Sequence, residues 1–245
     1  MEVHEYARMY EAEDRSWWFR GRRRVVEQVV ASLALPAEAR IVDVGCGTGG
    51  NLPMLARHGG VVGIEPSPEA RRFARSRGAA AIAEGDAYAT GLEECMADLV
   101  TLLDVLEHLR DEARALAEVR RVLRPGAPLL VTVPAFMTLW SAHDEVLHHE
   151  RRYVKRGLRR VLEDAGFTID WLTYYNAGLF PAVAAVRVAR RALPGRGAAR
   201  ADGAELPPLP LNLALEELFA AERHVVGRLP LPFGVSLIGV ARAPA

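Results

Sequence analysis

Residues 41–50 read IVDVGCGTGG, a short apolar run that passes directly into a turn carrying Gly45, Gly47, Gly49 and Gly50, with a helix expected from near Asn51. Such a strand-turn-helix lets the backbone curve tightly and approach a ligand closely, while the unpaired amides of the helix start offer hydrogen bonds. Gly45, Gly47 and Gly50 also satisfy GxGxxG, and Glu65 ends the next apolar run, at the spacing of an acid that binds ribose hydroxyls. Read alone, the segment fits a dinucleotide-binding fold.

Working outward, Val-, Ile- and Leu-rich runs alternate with charged segments of helical period, the pattern of a parallel sheet covered by helices. Strands are expected at 41–44, 61–65, 80–84, 99–103, 129–133, 167–174 and 234–241. SPEARRFARSRG and RDEARALAEVRRVLRPG read as amphipathic helices, the first opened by Ser67-Pro68 and the second stopped by Pro125-Gly126. The expected organisation is a helical N-terminal flap over 1–39, a core over 40–175 and 231–245, and a helical insertion or lid over 176–230. The insertion holds an apolar, arginine-bearing stretch at 179–193 and a Gly-, Pro- and Arg-rich linker.

Three features discriminate among ligands. Asp43 stands just before the glycines, where a carboxylate repels a pyrophosphate but suits an ammonium group. Glu84-Gly85-Asp86-Ala87 follows the third strand, and Asp86 can accept from an adenine amino group. LVTLLDVLEHL sets Asp104, Val105, Glu107 and His108 at the carboxyl end of the fourth strand, where open α/β sheets bind ligands. Glu107 is expected to be a solvated acid at a helix start.

In this order, DVGCGTG, the strand-end acid, GDA and the LEH segment resemble class I S-adenosylmethionine-dependent methyltransferases of the small-molecule type, over roughly residues 40–133. The resemblance implies an α/β, Rossmann-like doubly wound sheet of seven strands with the last antiparallel. It further implies S-adenosyl-L-methionine as cofactor, with Asp43, Gly45, Cys46, Gly47 and Gly49 around its methionine portion, Glu65 and Pro66 at the ribose, and Asp86 with Ala87 beside adenine. Asp104 and Val105 would flank the amino-acid part, with His108 near the substrate opening. Two other readings stay open: a nicotinamide-dependent oxidoreductase, and a scaffold that binds the cofactor without turnover.

PAFMTLWSAHDEVLHHERRY (134–153) follows the fifth strand and so lies over the expected cleft. His143, His148 and His149 are candidate general bases for a hydroxyl or carbon acid, and Arg152 can hold an anionic group, with Trp140 and Tyr153 beside it. The opposing reading makes the charges a solvated helix face and the aromatics core. Asp144 and His148 fall at i and i+4, but the spacing matches no HExxH-type motif, so no metal site is assigned. This stretch and WWFRGRR near the start resemble a subgroup of methyltransferases. In the flap, Trp17, Trp18 and Phe19 can exclude water while an arginine, Arg20 first, meets the cofactor carboxylate.

Composition bounds the partners. Lys plus Arg and Asp plus Glu both total 31, so no global field favours nucleic acid or an anionic membrane, and a small-molecule methyl acceptor is the expected partner. Cys46 and Cys95 form no CxxC, the first residues lack the apolar stretch of a secretory signal, and no apolar run reaches the ~18 residues of a membrane span. The expectation is a cytoplasmic monomer or homodimer with at most peripheral membrane contact.

Overall fold

The structure is a computed structural model that describes residues 3–192 and 206–245. Seven strands, β1 (Arg40–Val44), β2 (Gly60–Ile64), β3 (Ala81–Ala83), β4 (Leu99–Leu103), β5 (Pro128–Pro134), β6 (Thr168–Tyr175) and β7 (Ser236–Arg242), form one sheet in the order β3-β2-β1-β4-β5-β7-β6. The first five run parallel, and β7 lies antiparallel between β5 and β6. All seven expected strands form, and the fold is the expected Rossmann-like doubly wound sheet.

Strand residues feed two cores, one on each face, because successive side chains point to opposite sides. Val42, Val44, Val100, Leu102, Val131 and Val133 pack with helices α5 (Glu112–Val122) and α7 (Lys155–Asp164). Ile41, Leu99 and Leu130 pack on the other face with α2 (Trp17–Ser32) and α3 (Leu52–Leu55). Side-chain caps set helix starts: Ser67 accepts from Ala70 N at α4 (Pro68–Ser76), and Asp111 from Arg114 N at α5. The helix after the glycine turn starts at Leu52, as expected near Asn51, and is only four residues long.

The expected flap, 1–39, holds α1 (Val3–Arg15) and α2, and the expected insertion, 176–230, holds α8 (Phe180–Ala192) and α9 (Leu209–Ala220). Most of the Gly/Pro/Arg-rich linker of the sequence reading lies outside the described residues. Flap and insertion lock together: Asn212 of α9 accepts from Trp17 N at 3.0 Å and donates to Arg15 O at 2.8 Å. Phe219 packs on Trp17, Trp18 and Tyr175, against Gly21, where a Cβ would come within 2.9 Å of it. Trp17 and Trp18 therefore serve this junction. Among the described residues no helix is long and apolar enough to cross a membrane. α6 (Ala142–Val146) is the remaining helix, in the segment after β5.

Candidate functional site

The carboxyl ends of β1, β2 and β4 converge on the glycine loop. Gly45 N and Cys46 N donate to Ile64 O at 2.8 and 3.1 Å, curling the loop against the end of β2. Gly45 has φ +72, and a Cβ there would meet Val105 Cγ2 at 2.8 Å, so this position needs glycine twice over. Gly47, at φ +55, has nothing within 4 Å of a Cβ position, so the loop presents open space there. Glu65 bridges the loop: Oε2 accepts from Gly47 N at 3.0 Å and Oε1 from Ser67 N at 2.9 Å. Burial raises its pKa, against the lowering effect of those amides.

Asp43 faces Thr101 across the β1–β4 pairing, and its Oδ1 accepts from Thr101 Oγ1 at 2.6 Å. Its Oδ2 is buried without a hydrogen-bond partner. Burial pushes the carboxyl up to about 7, with the Thr101 bond acting in the other direction. Asp104, in the left-handed region at φ +59, pairs with Arg22 at 3.0 Å and accepts from Thr132 Oγ1 at 2.9 Å. Arg22 is buried and also donates to Thr132 Oγ1 at 3.1 Å. From α1, the buried Glu13 reaches the same loop, accepting from Thr48 Oγ1 at 2.6 Å and pairing with Arg77 at 2.7 Å.

On the far side of the β4 end, the segment after β5 folds around Asp144, whose side chain is fully buried. Asp144 accepts from Ser141 N at 2.8 Å, from Arg152 Nε at 2.7 Å and from Arg152 Nη2 at 3.0 Å, and meets His149 Nδ1 at 2.9 Å. Burial alone would raise its pKa; the bonds from His149 and Arg152 instead hold it well below the usual carboxylate range. The His149 ring stands edge-on to His108, centroids 4.6 Å apart. Burial, then His149, lowers His108 to about 4. Glu107 lies beneath them, fully buried, with neither carboxylate oxygen hydrogen-bonded.

Residues 42–131 match the family model of a methyltransferase domain. The chain carries a class I S-adenosylmethionine-dependent methyltransferase domain. A probable S-adenosylmethionine-dependent methyltransferase of Mycolicibacterium smegmatis is 32% identical over 172 residues, covering 68% of this chain and 66% of the relative. Norajmaline N-methyltransferase of Rauvolfia serpentina is 29% identical over 151 residues, 56% of this chain and 51% of that enzyme. The chain thus spans less than two thirds of these relatives' lengths. In fold, it superposes with a TM-score of 0.65 and 20% identity on a chain from the complex of the Haloferax volcanii Trm112 methyltransferase activator, covering 99% of this chain and 95% of that one.

Within this methyltransferase domain the expected cofactor-side residues Asp43, Gly45, Gly47, Glu65, Asp104 and Val105 gather around one loop. Cys46 packs instead, its thiol pushed up by burial and set where Gly63 leaves room. Pro66 is exposed, and its carbonyl accepts from Arg71 at 2.7 Å. Asp86 is exposed and caps its own turn, accepting from Tyr88 N at 2.7 Å and Ala89 N at 2.9 Å, whereas Ala87 is buried. Arg20 is corrected: it pairs with Glu216 of α9 at 2.9 Å, and the arginine at the Asp104 end is Arg22. A two-residue step turns a helix by about 200°, so the arginine run contained the right residue but not the face it points to.

Among the described acceptor-side candidates, the His149 ring is the one set against the His108 ring. His148 is exposed at φ +56, beyond the end of α6, so the i, i+4 pairing with Asp144 does not form. The side chain of His143 lies outside the described residues. Arg152 is buried, with its fork on Asp144, and does not stand open to an anion; Tyr153 is buried and donates to Glu112. Trp140 is half-buried. Glu107 is also corrected, from solvated helix-start acid to fully buried group, because the turn at 106–108 is tucked under the 147–150 segment by the bond from Glu150 N to Glu107 O at 2.7 Å. Glu13, Thr101 and Thr132 were not singled out from sequence. Thr101 and Thr132 had a usable signal, a polar residue inside a buried strand.

Proposed function

We propose that the chain is an enzyme that moves a methyl group from S-adenosyl-L-methionine to an oxygen, nitrogen or carbon nucleophile of a small molecule, such as a natural-product, sugar or lipid-linked intermediate. The observation that carries the reading is the pairing of an open backbone at Gly47 with the buried, half-unpartnered Asp43 beside it. A carboxylate with one orphaned oxygen suits a ligand bearing an ammonium group and disfavours a pyrophosphate. The residues present therefore fit this cofactor. Asp43, Asp104 and the glycine loop would hold its amino-acid part, Glu65 the ribose hydroxyls, and the Asp86-Ala87 turn the adenine.

The cofactor supplies a methyl group already activated on a sulfonium. What remains for the chain is alignment of the nucleophile, exclusion of water and removal of a proton where the acceptor carries one. The β4 end, with His108 and His149, is the acceptor side in this reading, and Asp144 is a positioning residue that fixes the rotation of the His149 ring. A carboxylate acceptor needs no base; a hydroxyl or carbon acid does.

Parallel calorimetric titration with S-adenosylmethionine, S-adenosylhomocysteine and NAD tests the reading. Saturable binding of the first two and not of NAD is the expected result, to be followed by a radiolabelled methyl-transfer screen of hydroxylated and carboxylated metabolites. Binding of NAD alone would overturn it in favour of a redox enzyme.

A further inference from the structure

We propose that Glu107, His108 and His149 form a binding site for a divalent transition-metal ion, placed on the acceptor side of the cofactor loop. The inference rests on the acceptor-side reading only for what the ion would do, not for whether it binds.

The three residues come from two segments. Glu107 and His108 follow β4 in the turn Leu106–His108, and His149 is carried by the segment after β5. The Glu150 N to Glu107 O bond holds the two segments together, and one donor atom from each of the three side chains lies within 4.8 Å of the others. Donors around one zinc-sized ion sit about 3 to 3.5 Å apart, a contraction that small side-chain rotations supply.

The charge around Glu107 supports a cation. Two ion pairs flank the site, Arg22 with Asp104 at 3.0 Å and Arg152 with Asp144 at 2.7 Å, and each neutralises itself. Glu107 is the acid left over, fully buried, with both oxygens unpartnered. An ionised carboxylate in that position is expensive unless a proton or a cation joins it.

The His149 imidazole is also oriented from behind. Asp144 engages His149 Nδ1 at 2.9 Å. A carboxylate or backbone group that fixes ring rotation is the usual support of a metal-bound histidine. Two imidazoles and one carboxylate select a borderline ion such as Zn²⁺, Fe²⁺ or Co²⁺ over Mg²⁺ or Ca²⁺. Three protein ligands leave coordination positions open, and the acceptor class this favours is one that offers an oxygen, a hydroxyl whose proton the ion makes easier to lose.

The test uses the full chain, stripped with a chelator, without cofactor or acceptor. Zn²⁺ is titrated calorimetrically and Co²⁺ optically, in the wild type and in Glu107→Gln, His149→Gln and His148→Gln. One equivalent of Zn²⁺ is expected, with visible Co²⁺ bands; affinity should fall on the order of 10- to 100-fold in the first two variants and stay unchanged in His148→Gln. Absence of saturable binding in the wild type, or equal binding in wild type, Glu107→Gln and His149→Gln, would overturn the site and leave Glu107 as a buried neutral acid. S-adenosylmethionine affinity, measured separately in Glu107→Gln, keeps this failure distinct from failure of the methyltransferase reading.

Discussion

The cofactor loop and the segment after β5 stand on either side of the end of β4, and they are built in opposite ways. At the loop, the carboxylates have few partners and no cation among their hydrogen bonds: Glu65 takes amides from Gly47 and Ser67, and Asp43 takes one hydroxyl from the neighbouring strand. Burial dominates both and raises their pKa values. Beyond β5, Asp144 is just as buried but collects Arg152, His149 and Ser141, and its pKa is depressed. At the loop Asp43 keeps one buried oxygen unsatisfied, with capacity for a ligand; beyond β5 Asp144 is the centre of its own segment's fold.

That contrast breaks first, and hardest, at Asp144. Asp144→Ala strands the Arg152 guanidinium in the interior, and urea denaturation should show a loss of about 3 to 5 kcal/mol. A loss below about 1 kcal/mol would mean that the ion pair does not organise the segment. Next comes Gly45→Ala, which combines a left-handed backbone with a contact on Val105. It should cost about 2 to 4 kcal/mol in stability and lower S-adenosylmethionine affinity at least about tenfold. Glu65→Ala should weaken cofactor binding by about 1 to 3 kcal/mol; unchanged calorimetric affinity in a folded variant would remove Glu65 from the ribose.

A smaller effect sharpens the electrostatic half of the comparison. Burial pushes the Asp43 carboxyl up to about 7, above the ordinary 3.8, so between those values the folded chain holds a proton that the unfolded chain has lost. Its contribution favours folding at low pH and is lost as pH rises through 7. Cofactor-free Asp43→Asn should therefore gain on the wild type by about 1 to 2 kcal/mol between pH 5.5 and pH 8, while binding S-adenosylmethionine less tightly. A pH-independent difference in denaturation midpoints would contradict the raised pKa. Smallest of all, Arg20→Ala should cost under about 1 kcal/mol and leave cofactor affinity untouched, since its partner Glu216 keeps Arg24 at 3.6 Å.

The legible part of the molecule follows the same division. Strand positions, sheet type and the glycine loop could be read because hydrophobic period and glycine spacing act over a few residues. Asp43, Gly45, Gly47 and Glu65 come from segments joined by a single crossover, so motif order alone brought them together. The acceptor side could be named but not arranged: three histidines occupy seven residues, and only the end of α6 and the left-handed His148 decide that His149 turns toward His108.

By itself, then, the sequence determined the sheet and the cofactor loop, since each depends on local period and backbone freedom. Tertiary structure decided that Arg22 rather than Arg20 faces Asp104, that Arg152 serves Asp144, and that Glu107 is sealed from water. These outcomes depend on which distant segments cover a side chain and what charges they bring, and burial sets both the pKa of an acid and the partner it must find.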